Sequence, residues 1–160
     1  MSDDKKPDIV WETKAFDELT LLELHDLLRV RLDIFVVEQN CPYSEIDGMD
    51  PLCTHVIGKT DEGKLIATAR IAPAGTIYDE CSIGRVVVKE EYRQFKIGKE
   101  LMDVSILYCK EQKGVKTIKI AAQLYLRKFY SSFGFEQISD VYPWDGIDHI
   151  DMRLTFPGSK

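Results

Sequence analysis

Residues 92–102 read YRQFKIGKELM, and how this turn is built decides the fold. Immediately before it lies SIGRVVVKE (82–90), a run rich in β-branched residues that reads as a strand. Inside it begins an apolar stripe, Ile97, Leu101, Val104 and Tyr108, at helical spacing, which stops at Lys113–Gly114. The stretch is therefore a tight connection from a strand into a helix. The first amides of such a helix lack intrahelical acceptors and attract anions, and Arg93, Lys96 and Lys99 stand around them. Two phosphate loops are excluded by residue type. A Walker loop needs a glycine five positions before Gly98–Lys99, where Arg93 stands, and Ser or Thr after it, where Glu100 stands. The G-x-G-x-x-G fingerprint is absent as well. On these residues alone, an anion-binding turn and an ordinary connection with solvated basic side chains both remain open.

Working outward, IVWETKAF (9–16) reads as a strand, and LTLLELHDLLRVRLDIF (19–35) as a helix with Leu21, Leu24, Leu28 and Leu32 on one face. Thr20 and Glu23 form a capping-box pattern at its start. The stretch 36–52, with Pro42, Gly48 and Pro51, reads as a loop, and 53–60 and 64–73 as a hairpin around Asp61–Gly63. After the central helix, 117–122 reads as a short buried strand and 124–135 as a short helix ending at Gly134. The segments 135–142 and 147–156 read as two strands joined by PWDG. Hairpin strands followed by helix-connected strands predict a mixed α/β, α+β-like domain with helices on the sheet.

The 160 residues, 44% of them hydrophobic, suffice for one core, so a single domain over 9–156 is expected, with a flexible N-terminus at 1–8 and a tail at 157–160. The 21 basic and 27 acidic residues are mixed along the chain and give a net charge of −6, which argues against nucleic-acid binding. The four cysteines lie far apart without zinc-ligand spacing, so free thiols and no metal are expected. A charged N-terminus and the lack of a long apolar run predict a cytoplasmic protein that does not engage a membrane.

Several motifs taken together resemble the GNAT N-acetyltransferase superfamily. Arg93-Gln94-Phe95-Lys96-Ile97-Gly98 is similar to its (Gln/Arg)-x-x-Gly-x-(Gly/Ala) acetyl-CoA motif at the first and last anchors, with Lys96 in place of the middle glycine. Gln123, Tyr130 and Gly134–Phe135 keep the spacing of its C-terminal Asn, Tyr and Gly-Phe. FVVEQNCPYSEIDGMD, IGRVVV, FYSSFGF and DGIDHIDM, in that order, resemble the ElaA-like branch. The resemblance spans residues 9–156 and implies a GNAT fold: a central, mostly antiparallel twisted sheet of six to seven strands, splayed between strands four and five, with helices on both faces.

It also implies acetyl transfer from acetyl-CoA to a primary amine on a small molecule or a protein. The backbone from Gln94 to Lys99 (Gln94, Phe95, Lys96, Ile97, Gly98, Lys99) would hold the pyrophosphate beside Arg93. Lys96, a non-glycine, would then be expected in an ordinary helical conformation. Val86, Val87 and Val88 would serve the cofactor, the Val86 amide as oxyanion donor and Val88 on the pantetheine arm; Gln123 would join them. Tyr130 takes the position of the family's general acid. No carboxylate stands just upstream of Val86, so Glu38 and then His55 are the candidate bases, with His149 a hairpin residue near the cleft. Glu45, Asp47, Asp50, Asp145 and Asp148 would suit a cationic acceptor, whereas Arg70 and Arg85 would suit a carboxylate on it. Family members often dimerise, and no patch in the sequence identifies a homodimer surface. A catalytically silent acyl-CoA binder and a plain interaction domain are the alternative readings.

Overall fold

The computed structural model describes residues 5–158; the outer parts of the expected N-terminus (1–8) and tail (157–160) lie outside the described residues. The chain opens with strand β1 (Ile9–Ala15). Helix α1 (Leu21–Arg31) follows, and continues as a wider π-type turn over Leu32–Glu38. Three strands come next, β2 (Thr54–Thr60), β3 (Leu65–Ala72) and β4 (Cys81–Val88). A 3-10 segment, Glu90–Phe95, leads into α2 (Ile97–Glu111), and β5 (Thr117–Gln123) precedes the short α3 (Arg127–Ser131). Three strands complete the chain, β6 (Glu136–Gln137), β7 (Tyr142–Trp144) and β8 (Ile147–Thr155).

All eight strands form one sheet in the order β1-β2-β3-β4-β5-β8-β6, with β7 also on β8. Every pairing is antiparallel except that of β4 with β5. The count exceeds the six to seven expected because 135–142 does not run as one strand. It contributes the two-residue β6, and Pro143–Trp144, expected in the turn, are part of β7.

Helices cover both faces, and the strand pleat shows it. Ile57, Leu65 and Val87 pack with Leu27 and Val30 of α1 and with Ile34 of the π-type turn that continues it. Their neighbours Val56, Ile66 and Val88 pack on the other face with Ile97, Leu101 and Met102 of α2. With helices on both faces β3 is buried along its whole length, including Thr68 and Arg70, which have hydrogen-bond partners of their own.

The capping box at α1 forms as the sequence predicts: the Glu23 amide donates to Thr20 Oγ1 (3.0 Å) and the Thr20 amide to Glu23 Oε1 (2.9 Å). Its buried face differs from the predicted one. Leu21 is 88% exposed, and the face turned inward carries Glu23, Leu27, Val30 and Arg31. The stripe misleads because two charged residues occupy inward positions. Burial alone would raise the Glu23 carboxyl, but hydrogen bonds from Lys59, the Thr20 backbone and Lys14 outweigh it and hold the pKa down at about 2.

Candidate active site

β4 and β5 pair only at their beginnings, Cys81 with Ile118 and Ser82 with Lys119, and then separate. The gap widens toward the strand ends, Val88 on one lip and Gln123 on the other. On its far side β4 continues along β3 with one extra residue. Thr68 faces Val87 but Arg70 faces Gly84, so two steps of β3 match three of β4. Arg85 sits in this bulge at φ +49°.

The ladder fixes which backbone groups face the gap. The Lys89 amide donates to the Ile66 carbonyl at 2.8 Å. In an antiparallel ladder the hydrogen-bonding residues alternate, so Val87 turns its amide and carbonyl to Thr68, whereas Val88, opposite Ala67, turns both away from β3. A second contact agrees: Arg93 Nε donates to the Val88 carbonyl at 3.0 Å. Val86 faces the same way as Val88 by the same alternation. Val86 and Val88 thus present amides to the gap, while Val87 serves the ladder and the core.

At the end of β4 the chain turns into α2 through Lys96, which adopts φ +58° and ψ +30°. This overturns the expectation of a helical conformation for Lys96. The left-handed geometry that glycine would supply is imposed on lysine at some cost, because the turn must reverse direction within one residue. Lys96 gives α2 no side-chain cap; its carbonyl takes the Lys99 amide at 3.1 Å, which leaves the amides of Ile97 and Gly98 as the donors of the helix start. Around them, Lys99 pairs with Asp103 (2.8 Å) and Arg93 with Glu38 (2.8 Å), while Lys96 has no ion-pair partner among the described residues. Gln94 and Phe95 lie in the 3-10 segment before the turn. A Cβ added to Gly98 would stand 3.8 Å from Phe129 Cζ and 3.9 Å from Val88 Cγ2, which brings the start of α2, the end of β4 and α3 together.

Tyr130 lies beside Phe129, ring centroids 5.2 Å apart, and 6.1 Å from Phe135. Burial, aided by the nearby Tyr125, pushes its phenol up to about 12, so it is protonated at neutral pH. The other lip is bridged by side-chain amides. Gln39 Nε2 donates to Gln123 Oε1 at 3.4 Å, and Gln123 Nε2 to Gln39 Oε1 at 3.3 Å. The neighbouring Glu38 reaches the opposite lip, accepting from both terminal nitrogens of Arg93 at 2.8 and 3.1 Å. Consecutive residues therefore connect the two sides of the gap.

The two candidate bases fare differently. Glu38 is exposed but holds Arg93 with both oxygens. His55 is 1% exposed, with Nε2 3.0 Å from the Asp50 carbonyl and its ring beside Phe16. Burial lowers its pKa. No substrate amine can reach such a ring, so His55 is a core histidine and not a base. His149 pairs with Gln123 across the β5–β8 ladder, which places the two side chains on one face of the sheet. Its Nδ1 lies 2.7 Å from the Ile147 carbonyl, and Tyr142 stacks on the ring. With Nδ1 as the donor, the other ring nitrogen keeps its lone pair.

The loop acids are not free for an acceptor. Glu45 and Asp50 are buried with Arg31, which reaches Glu45 through Nε (2.6 Å) and Asp50 through both terminal nitrogens (2.8 and 3.2 Å). Arg70 grips Asp47 with two bonds of 2.9 Å, and Arg85 meets Glu45 Oε1 at 2.8 Å and Asp47 Oδ2 at 3.3 Å. Three arginines and three carboxylates pair with one another, although Arg85 Nε, close to Glu45 Oε1, is not aligned for a hydrogen bond. Burial would raise Asp47, but Arg70 outweighs it and holds the carboxyl at about 2. Arg70 and Arg85 are likewise committed to the protein's own carboxylates. Sequence reading missed this network because its members lie far apart along the chain.

The same loop meets the β7–β8 hairpin where Cys41 Sγ contacts the Asp145 carbonyl (3.2 Å). Beyond it, on the face of the sheet that carries Lys119, a cleft of about 350 Å³ is lined by Gly75–Glu80 and Lys119. All four cysteines are free and buried. Among the described residues no group of His, Cys, Asp and Glu is arranged to hold a metal ion, and no helix is long and apolar enough to cross a membrane.

Comparison with known proteins agrees with this architecture. The acetyltransferase (GNAT) domain family matches residues 52–156. Protein ElaA of Escherichia coli K12 is 42% identical over 147 residues, covering 90% of this chain and 95% of that protein. The crystal structure of E. coli ElaA superposes with a TM-score of 0.85 at 38% identity, covering 92% of this chain and 99% of that one. An acyl-CoA N-acyltransferase from Pseudomonas aeruginosa gives a TM-score of 0.87 at 34% identity, covering 92% and 100%. With a splayed β4–β5 pair, an uncapped helix start beside it and relatives matched over nearly their whole length, the chain belongs to the GNAT acetyltransferase family.

Proposed function

We propose that this protein is an acetyl-CoA-dependent N-acetyltransferase that acts on a primary amine. The observation that carries the reading is the gap that opens between β4 and β5, with a helix start that has no side-chain cap and α3, the helix of the buried, protonated Tyr130, meeting the end of β4 at Gly98. These residues fit a CoA thioester. The amides of Ile97 and Gly98, with the Lys96 ammonium, would hold a pyrophosphate. Val88 would bond the pantetheine arm through its amide, and Arg93 and Gln123 would flank the arm at the two lips. A bound thioester supplies an activated acetyl group.

The protein's own contribution is then electrostatic and acid–base. The Val86 amide donates to the thioester oxygen as the amine attacks and charge develops there. Tyr130 gives its proton to the departing thiolate; its raised pKa keeps that proton available near neutral pH. The amine must arrive neutral, and an unperturbed lysine-like amine has a pKa of ~10.4. Glu38 is occupied by Arg93, so we assign proton removal to His149, which pairs with Gln123 across the β5–β8 ladder and offers Nε2 as an acceptor when Nδ1 donates to the Ile147 carbonyl.

The acceptor would approach over the face of β5 and β8 that carries Gln123 and His149. Glu45, Asp47 and Asp50 are neutralised internally and do not select acceptor charge, which leaves Asp145 and Asp148 of the hairpin for that role; both small-molecule and protein amines remain within the reading. Four free, buried thiols suit the reducing cytoplasm. The test is release of CoA thiol from acetyl-CoA in the presence of a panel of primary amines. Release that depends on an amine supports the enzyme. Binding of acetyl-CoA without release over the whole panel favours a silent acyl-CoA binder.

A further inference from the structure

The β4 bulge is held by a side chain, and that side chain is anchored in the buried charge network. Arg85 is the bulge residue and adopts φ +49°, a conformation that costs a non-glycine residue energy. An arginine keeps it only if the surroundings over-determine the geometry. They do so here from several sides. The Arg85 guanidinium meets Glu45 Oε1 at 2.8 Å, the Glu45 carbonyl at 3.2 Å and Asp47 Oδ2 at 3.3 Å, and lies 5.6 Å from the Tyr43 ring centroid.

Each anchor is itself fixed. Glu45 is 2% exposed, bonded to Arg31 and receiving the Tyr43 hydroxyl at 2.7 Å; Asp47 is gripped by Arg70. The residue that follows Arg85 in the chain is Val86. The direction of the Val86 amide therefore depends on the torsion angles that this anchor enforces one residue earlier.

We infer that Arg85 is a positioning residue for the reaction: through Glu45 and Asp47 it locks the bulge so that the Val86 amide points at the acyl oxygen. This rests on the acetyltransferase reading above. It also gives the 41–52 loop a role other than acceptor selection, since the loop acts as the wall against which the bulge is braced. Two hypotheses about the bulge make opposite forecasts. If it needs only a positive φ, glycine should serve at least as well as arginine, because glycine takes that conformation without strain. If the guanidinium brace is required, glycine should fit the backbone and yet release it.

The experiment compares wild type, Arg85→Gly and Arg85→Lys by calorimetric titration with acetyl-CoA and, separately, with CoA. The two ligands differ by the acetyl group whose oxygen the Val86 amide would contact. Wild type should bind acetyl-CoA several-fold more tightly than CoA. Arg85→Gly should bind CoA within about twofold of wild type, lose the preference for acetyl-CoA, and lose turnover by about 10²-fold, while KM for acetyl-CoA rises no more than the several-fold by which its Kd rises. Arg85→Lys should recover part of the preference, since it keeps the charge but not the planar fork. Thermal melts establish that the variants fold, and Glu45→Gln carries the same readout should Arg85→Gly not fold. An Arg85→Gly protein that keeps both preference and turnover, or a wild type that does not distinguish the two ligands, overturns the inference while leaving CoA binding intact. A wild type that binds neither ligand removes the acetyltransferase reading beneath it.

Discussion

Replacing Gly98 with alanine should move stability and cofactor affinity in opposite directions. Gly98 lies in the first turn of α2 and does not adopt a positive φ, so glycine is not needed for the backbone. A methyl group there would stand 3.8 Å from Phe129 and 3.9 Å from Val88, ordinary contact distances that require nothing to shift. Alanine is favoured over glycine within a helix by roughly 0.5–1 kcal/mol. For a chain of this size that corresponds to a rise in Tm of about 1–4 °C. The same methyl fills the space between the start of α2, the end of β4 and α3, which the account gives to the arm and pyrophosphate. Overfilling a fitted site costs roughly 1–3 kcal/mol, or about 5- to 150-fold in Kd. Differential scanning fluorimetry and calorimetric titration with acetyl-CoA measure the two effects on one preparation. A variant with raised Tm and unchanged Kd would show that the cofactor does not pass this corner, and the reasoning would fail there.

Tyr130→Phe should leave the Kd for acetyl-CoA near wild type and lower kcat by about 10²-fold or more; equal turnover, measured where chemistry limits the rate, removes Tyr130 as the acid. Arg31→Ala takes the shared guanidinium from Glu45 and Asp50, which are 2% and 4% exposed and keep Arg85 and Arg70 as their remaining partners, and should cost about 3–5 kcal/mol in denaturant unfolding; a loss under 1 kcal/mol would mean that the network is not holding the loop. Acid should destabilise the protein well before its carboxylates titrate in the folded state. Glu23, Asp47 and Glu80 are held at about 2, below the ordinary 4.5 and 3.8, so their stabilisation is complete above those ordinary values and is lost as pH falls toward 2. Roughly 1–2 kcal/mol each, after solvent screening, is the expected scale. His55 adds to the same trend, because its buried ring resists the proton that the unfolded chain accepts. Equilibrium unfolding between pH 7 and pH 3 should show a falling midpoint, and a flat profile would contradict these assignments.

Local signals explain what could be read from the sequence. Thr20 and Glu23 mark the start of α1 because a capping box uses residues three apart, and Gly114, at φ +83°, marks the end of α2. The strand-to-helix turn at 92–102 and the hairpin of β2 and β3 are local in the same sense. The buried face of α1 was hidden because Glu23 and Arg31 face inward, and each is tolerable only through partners on other elements, Lys59 for one and Glu45 with Asp50 for the other. The left-handed residues Lys96 and Arg85 were hidden because neither is a glycine. At the site, motif spacing singled out Val86, Val88 and Tyr130 for the proposed roles. The fate of the acids did not, since Arg85 and Glu45 lie 40 residues apart and only the folded sheet joins them. His55 could be removed as a base only once its burial was known.

The central claim is that the gap between β4 and β5, with the start of α2, holds acetyl-CoA. Titration of acetyl-CoA into the purified protein, with adenosine diphosphate as the control ligand, tests it most directly. The account predicts saturable, one-to-one binding of acetyl-CoA that is much tighter than that of the diphosphate, since the pantetheine arm adds the contacts along β4. Absence of binding, or equal affinity for the two ligands, would contradict it.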